Sequence, residues 1–117
     1  MWQGATFALA INVKNSSGAN LDLTGYTAEM QIREAYDSAN ATEILSSSNG
    51  EISFVEANGI IAIELSSART ANIHVDLSTG SIPPKSIYVY DLDIQDANNK
   101  VTKLLFGTAE VYGEVTR

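Results

Sequence analysis

Apolar and polar residues alternate along most of this chain. In residues 6–14, "TFALAINVK", Phe7, Leu9, Ile11 and Val13 alternate with Ala8, Ala10, Asn12 and Lys14. A repeat of two puts alternate side chains on opposite faces of an extended chain, so the stretch predicts a half-buried strand. "NSSGAN" follows as a polar, glycine-containing turn. In "YTAEMQIRE", Tyr26, Ala28, Met30 and Ile32 form the inward row, and Thr27, Glu29, Gln31 and Arg33 face out. Residues 34–42, "EAYDSANAT", read as a loop with a helical turn, and "EILS" as a weaker strand.

The second half continues the pattern. Residues 51–66 read as a hairpin, with Ile52 and Phe54 inward on one arm and Ile61, Ile63 and Leu65 on the other. Asn58-Gly59 between them suits a type I′ turn, which needs positive φ at both central residues. "SARTANIHV" breaks the alternation, and Ser67 is expected to cap a short helix over Ala68 to Ile73. "DLSTGSIPPKS" is an irregular loop stiffened by Pro83 and Pro84. "IYVYDLDIQD" is the clearest strand, with Tyr88, Tyr90, Leu92 and Ile94 in one row. "DANNK" turns the chain and "VTKLLFGTAEVYGEVT" returns it, with a slip of phase that places a bulge or bend at Gly107. About seven or eight strands with short turns and one small helix imply an all-β antiparallel sandwich or small barrel.

Composition narrows the function classes. A chain of 117 residues suits a single domain, residues 1–117. At 44% hydrophobic it has the material for a core. It has no cysteine, which removes disulfides, thiolate metal sites and cysteine catalysis but leaves the redox compartment open. The net charge is −7, and Lys14, Arg33, Arg69, Lys85, Lys100, Lys103 and Arg117 are scattered singly. Nucleic-acid binders cluster their bases to neutralise phosphates, so no nucleic-acid partner is expected. An anionic membrane would repel the chain, and no apolar run approaches the roughly 20 residues of a spanning helix. "MWQGATFALAINVK" lacks the early positive charge of a signal peptide, which points to cytoplasmic synthesis.

Candidate chemistry is sparse. His74 is the sole histidine, with Asp76 near it, and reads as a surface or helix-end residue rather than part of a triad or metal site. Asp91 and Asp93 point the same way, roughly 7 Å apart at strand rise. Asp96 and Asn98 follow in a turn. Such oxygens could hold Ca²⁺, but the segment lacks the glycine and distal glutamate of an EF-hand loop and carries Lys100. A solvated face with an Asx turn is the better account. With 14 acids, a glycosidase-like carboxylate pair carries no weight. No nucleophile elbow, phosphate loop or H-E-x-x-H occurs. The sequence therefore predicts no enzyme, no catalytic residue, no cofactor and no metal.

The aromatics Phe7, Tyr26, Tyr36, Phe54, Tyr88, Tyr90, Phe106 and Tyr112 fall mostly on inward phases and read as core. Trp2, beside Met1 and ahead of the first strand, is assigned to contact with a neighbouring subunit in preference to packing on its own domain. In "NLDLTGYTAEMQIRE", Leu21 and Leu23 sink inward while Asp22 or Thr24 bonds turn amides. Gly25 is expected to give a tight backbone where a side chain would clash. Tyr26 is expected to send its hydroxyl to a backbone group, as a sandwich-corner tyrosine does.

These residues carry a resemblance. "WQGATFALAINVKNSSGANLDLTGYTAEMQIR" has a Q-G-x-T-F start and a D-L-T-G-Y-T-A turn. "GEISFVEANGIIAIELSSARTANI" supplies a hairpin, and "YVYDLDIQDANNKVTKLLFGTAEVYGEVTR" has Y-D-L, G-x-x-x-V and a closing E-V-T-R. In order and spacing, from Gln3 to Arg117, the chain resembles the small all-β structural proteins that tailed bacteriophages and prophages encode near their tail and fibre genes. Similar domains stand at the N-termini of baseplate upper proteins and as separate minor virion proteins. The connection "HVDLSTGSIPPKS" is longer than in many of them.

The resemblance implies an immunoglobulin-like β-sandwich in the virion, assembled in the host bacterial cytoplasm, with no catalytic residues. It implies an adaptor or attachment part of the tail, in the baseplate, fibre or neck region, whose partners are other virion proteins and copies of itself. A capsid decoration or cement protein is one alternative. A carbohydrate-binding, receptor-recognising module is another, with a glycan as partner. The expected protein contacts are Trp2, Tyr36 in the "EAYDSANAT" loop, and Pro83 and Pro84.

Overall fold

The computed structural model describes residues 1–114, and the end of the closing E-V-T-R motif, from Val115 on, lies outside them. Among the described residues, seven strands form two antiparallel sheets. They are β1 (Phe7–Asn12), β2 (Thr27–Arg33), β3 (Glu43–Ser46), β4 (Ile52–Val55), β5 (Ile60–Leu65), β6 (Lys85–Gln95) and β7 (Val101–Tyr112). One sheet has the order β1-β5-β4 and the other β3-β2-β6-β7. A short helix, α1 (Ser67–Ala71), lies on the crossing from β5 to β6.

The alternation read from the sequence is what builds the core. Ile52, Ile61, Ile63 and Leu65 from the first sheet join Met30, Ile32, Leu45, Leu92, Ile94 and Val111 from the second in one buried cluster. Leu23, Ile73 and Val75 enter it from connecting segments. Each such aliphatic side chain stabilises the fold by roughly 1.5–3 kcal/mol when fully buried.

Three local expectations are corrected. The hairpin of β4 and β5 is present, but its connection is a 3₁₀ turn over Glu56–Asn58 closed by Gly59 at φ 67°. Asn58 is not left-handed, so the type I′ turn does not form. Tertiary packing selects the longer loop. Val13 N–H donates to Gly59 O and Leu23 N–H donates to Glu56 O, both within 2.9 Å. A Cβ on Gly59 would stand 2.6 Å from Val13 O. Helix α1 is capped by Ser66 rather than Ser67, its hydroxyl accepting from the Arg69 amide.

The third correction concerns β7. The slip lies not at Gly107 but between Leu92 and Asp93, which face Leu105 and Lys103, leaving Leu104 as the extra residue. Lys103 and Phe106 therefore both face outward. Gly107 faces inward in regular register beneath Tyr90, whose Cε1 would lie 3.4 Å from a Cβ there. Phe106, expected in the core, is 71% exposed.

The turn before β2 forms largely as expected. Leu23 is fully buried, and Asp22 Oδ1 accepts from the amide (3.0 Å) and hydroxyl (2.7 Å) of Thr24. Those bonds hold the Asp22 carboxyl below its ordinary range, the hydroxyl contributing most. Gly25 is required for a different reason. Its φ is +82°, and the nearest neighbour to an added Cβ, Ala97 Cβ, is at an ordinary 3.6 Å. The constraint is the left-handed backbone, not a clash. Tyr26 packs half-buried against the core, and it is the Tyr88 hydroxyl that donates to a backbone carbonyl, that of His74.

Candidate docking surface

Of the four expected contact residues, Trp2, Pro83 and Pro84 lie where β7 finishes and β6 begins, while Tyr36 follows β2 and borders the outer face of the sheet. Residues 1–3 run beside the end of β7. Tyr112 N–H donates to Met1 O and Gln3 N–H donates to Tyr112 O, each at 2.9 Å. Trp2 stacks on Tyr112 with ring centroids 4.9 Å apart and remains 48% exposed. Part of the Trp2 ring is thus used within its own domain, and the other part faces solvent.

Pro84 is half-buried, and its carbonyl accepts from Gly113 N–H at 2.8 Å. Pro83 is exposed beside Ile82, which is 97% exposed. Leu77, in the 3₁₀ turn Leu77–Thr79 of the same connection, is exposed as well. Asp76 caps that turn. The hydroxyl and then the amide of Ser78 donate to its carboxylate and hold it below its ordinary range. The long connection is therefore a shaped loop that carries apolar side chains outward.

Tyr36, 73% exposed, borders a shallow groove on the outer sheet face with Gln31, Arg33, Val89 and Asp91. Arg33 is held in place by donating to Ser38 O (2.8 Å) and Gln31 Oε1 (2.7 Å). On the neighbouring strand, Phe106 lies directly across from Asp91.

The carboxylates considered for calcium are otherwise engaged. Lys103 Nζ lies between Asp91 (2.7 Å) and Asp93 (2.9 Å), and these bonds raise the lysine above its ordinary range. Asp96 Oδ1 accepts from the amides of Asn98 and Lys100, which is the Asx turn. Among the described residues no group of three histidine or acidic side chains converges as a metal site would need. No described helix is long and apolar enough to cross a membrane. His74 is exposed and contributes its backbone carbonyl to Tyr88 rather than its ring to any triad.

One constellation was not foreseen from the sequence. Arg69 on α1 donates to Glu43 of β3 and to Ile44 O, and pairs with Glu51 just ahead of β4. A single guanidinium thus ties the edge strands of both sheets to the helix. The three residues are 26 and 18 positions apart (69 − 43 and 69 − 51), and no local pattern marks such a pairing. Its geometry is that of a clip, with side chains largely withdrawn from solvent.

The chain matches no protein-family profile, no curated protein and no solved structure.

Proposed function

We propose that the chain is a non-catalytic docking module, an adaptor or attachment component of a bacteriophage tail that works through protein–protein contacts. The observation that carries the docking reading is the set of large apolar side chains left outside a well-filled core: Tyr36, Leu77, Ile82, Ile87 and Phe106 are each more than half exposed. Ile87 and Phe106 on the outer face of the sheet, and Leu77 and Ile82 on the connection ahead of β6, offer a partner apolar surface to bury. The tail assignment rests on the order and spacing of the motifs that resemble tail-associated virion proteins.

The strand order supports an immunoglobulin-like reading. Taken in chain order as strands B to G, the sheets become B-E-D and C′-C-F-G, with residues 1–3 beside G. Tyr88 on β6, the F position, ties that strand to the preceding connection by donating to His74 O, 14 residues upstream. Mass spectrometry of purified particles tests the virion role: detection at about six to twelve copies per particle, as ring symmetry would give, supports a tail part. Hundreds of copies would favour capsid decoration, and absence from the particle would overturn both.

The groove beside Tyr36 favours one other reading. An exposed ring flanked by Gln31, Arg33 and Asp91 suits stacking and hydrogen bonding to a sugar. A glycan array answers that directly, and loss of signal in Tyr36→Ala would assign it to this groove.

A further inference from the structure

β7 has a second side that β6 does not use. Tyr112 directs its N–H and C=O at residues 1–3, and Glu110 O accepts from the Met1 ammonium at 3.1 Å. In an antiparallel ladder, successive residues point their backbone groups alternately at one neighbour and the other. The β6–β7 register is unbroken from Leu105 to Tyr112. Phe106 and Thr108 therefore point their N–H and C=O away from β6, as Tyr112 does. Apart from β6, β7 meets only the Trp2 bridge among the described residues, so these groups face an open lane.

We propose that this lane is filled by the same edge of a second copy, antiparallel, about a two-fold axis at Gly107. Phe106 then lies opposite Thr108 of the second copy, and Thr108 opposite its Phe106, each pair exchanging both backbone hydrogen bonds. Both ends of the ladder are bounded. Met1 occupies the lane at Glu110, and the extra residue Leu104 interrupts the pattern at the other end. The register is thereby fixed without a long strand.

Three features are self-complementary about that axis, which favours a second copy over an unrelated strand. Gly107 faces inward without a side chain, so two glycines meet at the axis, where non-bonded pairs approach to about 4.5 Å. Phe106, 71% exposed, comes diagonally next to Phe106 of the second copy, within the roughly 7–8 Å over which aromatic side chains reach. Just past each end of the ladder, Glu110 of one copy and Lys103 of the other bring opposite charges to the seam, and both side chains are accessible, 43% and 49% exposed. The opposing term is the net charge of −7 on each copy. At physiological salt that repulsion is screened beyond about 8 Å, while the backbone bonds act at contact.

The inference rests on the docking reading but fails separately from it. In sedimentation equilibrium the intact chain is expected to dimerise across the micromolar range. Thr108→Pro removes an N–H that β6 does not use, and proline is tolerated on an edge strand in that orientation. This variant is expected to be monomeric with an unchanged circular dichroism spectrum. The chain has no cysteine, so Gly107→Cys is expected to give a disulfide-linked dimer on mild oxidation, whereas Ser53→Cys on the other sheet is not. A wild-type chain that stays monomeric at every concentration overturns self-pairing and leaves docking to another virion protein standing. A folded Thr108→Pro variant that still dimerises, or equal cross-linking at Ser53, also overturns it.

Discussion

The two lateral sides of the two-sheet fold are finished differently. On one side the edge strands β3 and β4 have four residues each. Arg69 reaches from α1 to Glu43 on the first and to Glu51 beside the second. On the other side the edges are β1 and the twelve-residue β7, joined among the described residues only near one end, by residues 1–3. Leu9 lies opposite buried Ile63, yet it is 43% exposed, and no strand among the described residues pairs with the free edge of β1. Short edge strands and inward charges are how sheets avoid pairing with other chains, and a long, flat, partly apolar edge invites it. One side is closed by side chains of the same molecule. The other retains backbone groups for another.

The largest effect is expected on the closed side. Arg69→Met keeps the aliphatic stem and removes the guanidinium, leaving Glu43 and Glu51 facing each other. Glu51 Oε1 is already buried without a hydrogen-bond partner. Removing the cation from this partly buried cluster leaves two carboxylates uncompensated, so a loss of about 2 kcal/mol is expected in urea unfolding, less than for a fully buried pair because Arg69 is a third exposed. Self-association per folded molecule should not change. A loss below about 0.5 kcal/mol would make the clip an ordinary surface pair and weaken the contrast between the sides. Gly25→Val comes next. The left-handed backbone at φ +82° costs a side chain about 1–2 kcal/mol, and β-branching does not help. Because Gly25 lies on neither edge, its melting temperature should fall with the dimer equilibrium unaltered. An unchanged melting temperature would mean that the turn relaxes.

How much of this was legible in the sequence follows from the range of each interaction. Period-two rows such as Ala28, Met30 and Ile32 gave their strand directly, because burial of one face is written into the local alternation. The Asp22–Thr24 turn was legible for the same reason, its partners being two residues apart. The Asn58-Gly59 turn was misread because Val13 and Leu23 hold the loop from far away in sequence. Phe106 was misplaced because a bulge at Leu104 shifts the phase, and the run "KLLFG" fits either phase equally well. Arg69 carried no signal at all. For the surface, Tyr36 and Pro83 were legible as polar-loop residues, but the open lane beside β7 depends on which strands pair, and a single strand does not show its neighbours.

Phe106→Ser separates packing from association. Its ring is largely solvated, so the substitution is expected to change stability by no more than about 0.5 kcal/mol, as surface replacements usually do. Self-association is expected to weaken, because the diagonal ring pair is lost while the backbone pairs remain. A cost of about 2 kcal/mol or more in the monomer would show that the ring packs within its own domain, and the open side would then be less open than the geometry implies.

The smallest effect concerns the seam that closes part of the open side. The Tyr112 hydroxyl and then Lys85 donate to the Glu110 carboxylate and hold it below the ordinary glutamate range. The same bond raises Tyr112. A depressed carboxylate contributes stability that is present above its unfolded pKa and is lost as pH falls through the folded value. The carboxylate is open to solvent, so the gain is small and screened by salt. Trp2 stacks on Tyr112 and serves as the reporter. Its fluorescence is expected to step at a pH below the ordinary glutamate range, and Glu110→Gln is expected to abolish the step while the chain stays folded. A step that persists in that variant would locate the acid-sensitive group elsewhere. It would also mean that residues 1–3 are held by their backbone bonds alone, in which case the closed part of this side is made by the same kind of contact that its open part offers to a second copy.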